Sequence, residues 1–241
     1  MDNLAETVYT IATWLVPLAF AIVFHEVAHG YVARHYGDPT AARLGRLTIN
    51  PVRHIDPIGT VALPTFLAVI GAPIFGWAKP VPVIEQRLRN PHWDMVKVAA
   101  AGPASNIALG IIASVVTGLF LLAVQGSAPT PVTQFLFDNL RNFIIINVFL
   151  AVFNMLPLPP FDGSKVLAGF LPPALAEPYK ALDRFGFLFL LLLILVVPSL
   201  TGVLRGRSRS LEKAAPESEM SMTRTICSVP SSITSVERGL R

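Results

Sequence analysis

Near the end of the first apolar run of this chain stand two histidines and a glutamate, His25-Glu26-Val27-Ala28-His29, followed by Gly30. Residues four apart lie one above the other on the same face of a helix. His25 and His29 can therefore offer two imidazoles to one metal ion, with Glu26 beside them. Two histidine ligands and a carboxylate able to take a proton from water are the arrangement of a zinc hydrolase. Three fixed residues match by chance in roughly 1% of chains this long, so the motif alone is moderately specific. Its setting adds weight, because an ionisable group inside a membrane helix costs about 2.5–3.5 kcal/mol or more and marks function. The bland reading is a histidine pair satisfied by backbone or water at a helix end.

A catalytic zinc site needs a third protein ligand and an open position for water. The candidate is Asp162, which follows the break Asn154-Met155-Leu156-Pro157-Leu158-Pro159-Pro160-Phe161 and precedes Gly163. Irregular backbone near membrane depth is tolerated where it lines a protein cavity. A turn aspartate at a helix end is the other reading, and the residue by itself leaves both open.

The elements that must position these groups follow from composition. Of 241 residues, 53% are hydrophobic and only 14% charged, against about 25% charged in soluble domains. The chain reads as an all-α polytopic membrane protein, with about four to five transmembrane helices, a re-entrant or broken apolar segment and a short extended loop. Its net charge of +4 fits basic cytoplasmic loops rather than nucleic-acid binding. Cys227 is the single cysteine, so no internal disulfide forms. The start, Met1 to Glu6, is acidic and unlike the basic head of a signal peptide, so the first segment is expected to be retained.

Segment one runs from about Thr7 to Arg34 and stops at Gly37 and Pro39. Segment two, Ile58 to Phe75, contains Pro64 and Pro73 and is marginal for a span. The prolines of Gly76 to Val83 suit an extended edge or turn, and Gln86 to Asp94 reads as a polar loop. Segment three is Met95 to Val124, segment four Val132 to Met155 and segment five Phe185 to Leu204. From Arg205 the chain is Ser-rich and charged with no apolar period. The expected division is a membrane-embedded domain, 1–204, and a disordered tail, 205–241.

Taken in order, His25-Glu26-Val27-Ala28-His29, Gly102-Pro103-Ala104-Ser105-Asn106 and Asn154-Met155-Leu156-Pro157 leading to Asp162-Gly163 resemble the site-2 protease family. These are intramembrane zinc metalloproteases, and the resemblance is to their compact prokaryotic branch without PDZ or CBS domains. The block Asn50-Pro51 through His54-Ile55-Asp56-Pro57-Ile58-Gly59-Thr60 and the run Gly76 to Val83 look like the same branch, so the likeness covers roughly residues 8 to 203. It implies that His25, His29 and Asp162 bind one zinc ion and that Glu26 is the general base. It further implies that Asn106 and Asn154 lie near the site, where they hold substrate or, on the blander reading, bond helices together. The substrates implied are membrane proteins, such as anti-sigma factors or leftover signal peptides, cut in a prokaryotic plasma membrane. Lys79 to Val83 can pair with an unwound substrate as an added strand or simply be a packed loop.

His35 and His92 read as surface groups. His54 lies in a family-like block and is not counted as a ligand, and Trp77 and Trp93 fit interfacial anchors. Two other functions use the same residues: a membrane metal carrier or sensor, which has no need of Glu26 as a base, and an inactive protease-like binder of membrane helices. Topology follows from parity. Ligands at about 2 Å from one ion share a depth, so segments one and four should end at the same face, which requires segment three to cross and segment two not to. The basic residues from Arg34 to Lys97, with Lys165, Lys180 and Arg184, then fall on one side, which the positive-inside rule makes cytoplasmic. Arg205, Arg207 and Arg209 would leave segment five outward, against that rule.

Overall fold

The long apolar runs form helices because only a helix satisfies its own backbone in lipid. The computed structural model describes residues 2–69 and 77–186. They belong to the first of the chain's two units, Met1–Leu190. The end of segment two, nearly all of segment five and the whole 205–241 tail lie outside the described residues.

Helix α1 spans Asp2–His35. At 1.5 Å per residue its 34 residues reach about 51 Å, well beyond the hydrocarbon core. A short turn of helix, α2, Thr40–Arg43, follows. The start of segment two is a π-helical turn, Pro57–Ala62, capped by the Asp56 side chain, and then α3, Leu63–Val69. Helix α4, Pro91–Val124, starts one turn earlier than the sequence reading allows. The expected loop over Gln86 to Asp94 therefore ends at Asn90. Pro91 sits at the first helical position, where its missing N–H costs nothing, and the Asp94 carboxylate accepts from Asn90 N at 2.8 Å. Helix α5, Pro131–Asn154, opens on Thr130 and Thr133, which cap each other's backbone. Past the Pro-rich break come α6, Asp162–Phe170, and α7, Pro173–Lys180. No strand occurs among the described residues.

Three helices among the described residues, α1, α4 and α5, are long and apolar enough to cross a membrane. Their register shows their directions. Tyr9 and Thr13 of α1 meet Asp138 and Asn142 of α5, so these two helices run parallel. His29 meets Val98 while Ala21 meets Asn106, so α4 runs against α1. The chain leaves α1 and re-enters α4 at one end, where Arg89 N donates to Tyr36 O at 2.9 Å and Ala33, Leu88 and Val98 pack together. α1 and α5 finish at the same end, and among the described residues α4 is the one helix between them long and apolar enough to cross a membrane.

The packing inverts that of a soluble bundle. On α4 the outward positions are apolar, Ile107, Ile111, Val115, Leu119 and Leu122. The buried positions are small or polar, Gly102, Asn106, Gly110 and Ala113. Apolar side chains gain nothing by leaving lipid, so the helices associate through close backbone approach and buried hydrogen bonds.

Candidate metal centre

His25 and His29 stand one turn apart on the inward face of α1, both buried, with ring centroids 4.6 Å apart and planes nearly perpendicular. Asp162, also buried, is brought to them as the first residue of α6. The glycine after it allows the approach. A Cβ on Gly163 would land on the Met155 and Leu156 carbonyls of the preceding break. The two imidazole Nε2 atoms lie 3.1 Å apart, and each lies 3.1 Å from Asp162 Oδ2.

The far side of each ring is tied to an acceptor. His29 Nδ1 donates to Val98 O at 2.7 Å, and a carbonyl can only accept. His25 Nδ1 faces Asn106 Oδ1 at 2.6 Å. Both rings then carry their proton on Nδ1 and turn unprotonated Nε2 atoms toward each other. Two lone pairs and a carboxylate oxygen converging without a proton among them fit a cation. Ligands of tetrahedral zinc, about 2.0–2.1 Å from the ion, stand about 3.3 Å apart, close to the 3.1 Å here. Space is left on the α4 side because a Cβ on Gly102 would collide with both imidazoles. Lys165 Nζ lies 3.6 Å from Asp162 Oδ1, the oxygen turned away from the histidines.

Glu26, next to His25 on α1, is half-buried. Its Oε2 accepts from Val81 N at 2.7 Å. Val81 belongs to the extended run expected from its prolines, which further hydrogen bonds anchor on either side of it. Lys79 N donates to His54 O at 2.8 Å, the Arg46 guanidinium reaches Lys79 O at 2.7 Å, and Ile84 N donates to Asp38 Oδ2 at 2.7 Å. Gly30 is the notch that admits the run, since a Cβ there would strike Val81 and Leu47.

The other singled-out residues divide. Asn106 is wholly buried and touches His25. Asn154 donates to Leu150 O of its own helix at 3.0 Å. His54 is buried outside the cluster, with Nε2 on Thr48 O at 2.9 Å. His35 is exposed at the end of α1, and His92 is exposed in the first turn of α4 rather than in a loop. Trp77 and Trp93 are both partly exposed. Asn147 escaped the sequence reading. It is wholly buried, and its Oδ1 accepts from Asn106 Nδ2 at 2.8 Å. The signal for it was an amide in the middle of an apolar helix, outside any motif.

The chain is similar to curated proteins along most of its length. It is 36% identical over 183 residues to "Putative zinc metalloprotease YwhC" of Bacillus subtilis (strain 168), covering 74% of this chain and 78% of that protein. It is 30% identical over 201 residues to Rip2 of Mycobacterium tuberculosis (strain ATCC 25618 / H37Rv), covering 81% of this chain and 69% of the relative. It is 33% identical over 153 residues to MJ0611 of Methanocaldococcus jannaschii, with 64% and 68% covered. Both carry the same zinc metalloprotease designation. No family model and no solved structure matches the chain.

Proposed function

This chain belongs to the zinc metalloprotease family of YwhC, Rip2 and MJ0611, a compact family like the site-2 proteases, and on that premise we propose that it hydrolyses peptide bonds of membrane-protein substrates within or beside the bilayer. The observation that carries the reading is the convergence of His25 Nε2, His29 Nε2 and Asp162 Oδ2 among helices long and apolar enough to cross a membrane, with Glu26 next to His25 in the chain. His25, His29 and Asp162 are the proposed zinc ligands. Zinc supplies, when bound, a Lewis acid that lowers the pKa of water and polarises a carbonyl. Glu26 takes the proton of the attacking water as its oxygen adds to the scissile carbonyl carbon, and gives it to the amine as the C–N bond breaks. The Val81 N–H donates to Glu26 Oε2 and fixes where that carboxylate lies beside the ligands. Asn106 orients His25, and Asn154 is the proposed neighbour of substrate at the end of α5.

The run from Lys79 to Val83 is the proposed dock for an unwound substrate segment, because a helix shields its own carbonyls from attack. Pro80 and Pro82 have no N–H to offer, so pairing would fall on the carbonyls and on Val83 N. The site end of the bundle carries most of the basic residues, and the other end carries Asp2, Glu6 and Arg141, which supports a cytoplasmic site in a prokaryotic plasma membrane.

The test is cleavage of a panel of single-span membrane substrates by purified protein, with and without a chelator. Chelator-sensitive cleavage that zinc restores is the expected result. Zinc binding with no cleavage of any substrate would favour a metal carrier or sensor.

A further inference from the structure

Behind His25 lies a chain of hydrogen bonds whose direction is fixed at its far end. Asn147 Nδ2 donates to Phe143 O at 2.8 Å, one turn back on α5. Because that carbonyl can only accept, the Asn147 amide cannot turn over, and its Oδ1 must face Asn106. Asn106 Nδ2 donates to it at 2.8 Å and also points at Ala21 O, 3.4 Å away. The Asn106 amide is thereby fixed too, with Oδ1 toward His25 Nδ1 at 2.6 Å. An oxygen at that place requires the proton on Nδ1 and leaves Nε2 with a free lone pair. Turned over, Asn106 would present N–H there, the proton would move to Nε2, and that nitrogen could not ligate a metal. Helix packing brings the amides together: Gly102, Asn106 and Gly110 share one face of α4, and a Cβ on Gly110 would only just touch Asn147.

We infer that Asn147 is a positioning residue for the metal centre, selecting the His25 tautomer through Asn106 from a helix that contributes no ligand of its own. The inference rests on the reading of His25 as a zinc ligand. Partners behind ligating histidines typically govern metal affinity by 10–100-fold. An ordinary interhelical hydrogen bond between α4 and α5 would instead affect packing without regard to tautomer.

Two breaking variants and one conserving variant separate these cases. Asn147→Leu removes the acceptor. Asn147→Ser does so too, and its short hydroxyl is satisfied by Phe143 O, so the new side chain brings no orphaned polar atom of its own. Asn147→Asp, kept neutral by burial between apolar helices, preserves one acceptor and one donor in the same places. In micelles, nitrogen chemical shifts of zinc-free protein report the His25 tautomer, with His25→Ala identifying the signal. Competition against a chromophoric chelator gives the zinc Kd. The expected result is an Nδ1–H tautomer in wild type and Asn147→Asp, with Nε2–H appearing in the Leu and Ser variants and zinc Kd rising 10–100-fold in them. An unchanged tautomer and Kd in a folded Leu or Ser variant, or equal weakening in all three variants, would overturn the inference. Wild-type protein that binds no zinc would overturn the metal reading and this inference with it.

Discussion

A histidine ligates through one nitrogen only if the other nitrogen's proton is held, and here the two holders differ in kind. His29 leans on a backbone carbonyl, which no substitution can remove, whereas His25 leans on a side-chain amide. The two imidazoles therefore differ in how easily a mutation can disturb them. Glu26 faces a different demand, since it must accept a proton and stay off the metal. Glu26→Gln is expected to retain zinc and lose about 10²–10⁴-fold in kcat, the usual share of a general base. His25→Ala, His29→Ala and Asp162→Ala are expected to lose bound zinc as well, and elemental analysis beside the cleavage assay separates the two classes. Zinc content unchanged in Asp162→Ala would remove that residue from the ligand set. Gly102→Ala belongs with the ligand variants despite carrying no ligand, because the added methyl enters the space of both rings. Its zinc content should fall while the helices remain folded by circular dichroism. These side chains were legible in the sequence because HExxH fixes a helical spacing and Asp162 stands at a break. Val98 O, Phe143 O and Val81 N were not, since every residue but proline carries the same backbone groups and only the fold says which of them meet.

The helices are the legible elements, and the connections are where physical reasoning from sequence thins out. Long apolar runs identify α1, α4 and α5 to within a turn or so. By contrast α6 and α7, of nine and eight residues, are punctuated by Gly and Pro and carry too short a pattern to stand out. The run Lys79 to Val83 was rightly expected to be extended, but what it rests on depends on Asp38, a residue no motif marked. Asp38 is wholly buried and accepts from Ile84 N, Thr40 N and Thr40 Oγ1, with the Arg87 guanidinium donating to that same hydroxyl. It clamps the run to the end of α1 and so helps keep Val81 N on Glu26. Asp38→Ala would orphan buried donors at about 1–3 kcal/mol each. We expect faster protease nicking within 77–84 and a lower kcat with zinc content unchanged. The clamp also has a pH window. Burial raises the Asp38 carboxyl, but the bonds from Ile84 and Thr40 and the charge of Arg87 lower it further, and the net is below its ordinary value. A carboxyl depressed in the folded state stabilises above its unfolded pKa of about 3.9 and loses that contribution as pH falls through the folded value. Protection of the run should thus be constant from about pH 5 upward and weaken only in stronger acid, and nicking with an acid-tolerant protease measures it. Weakening already near neutral pH would show that another group controls the run.

At a larger scale, three helices among the described residues, long and apolar enough to cross a membrane, enclose a polar interior, and every group of the candidate site lies toward one end of that bundle. Three ligands to one ion demand a shared depth, and the parallel run of α1 and α5 delivers it, since His25 and His29 lie in the last third of α1 and Asp162 begins α6 just after α5 ends. That same end holds the return of the chain from α1 to α4, with Arg34, Arg43, Arg53, Arg87 and Arg89 on it, whereas the turn between α4 and α5, residues 125–130, carries no charge. Each basic residue resists transfer across the membrane during insertion, so the end that bears them remains on the side of synthesis. The site should accordingly open to the cytoplasm, with the start of α1 and the 125–130 turn on the far side. Arg43, Arg89 and Ser127 are all exposed, so each can be replaced singly by cysteine in a Cys227→Ser background without disturbing the interior. A membrane-impermeant thiol reagent is expected to label Ser127→Cys in intact cells, and Arg43→Cys and Arg89→Cys only in inverted vesicles. Labelling of Arg43→Cys and Arg89→Cys from opposite faces would mean that the connection between α1 and α4 crosses the bilayer, against the shared depth of the three proposed ligands. Labelling of both in intact cells would keep the parity and reverse the orientation, placing the site outside.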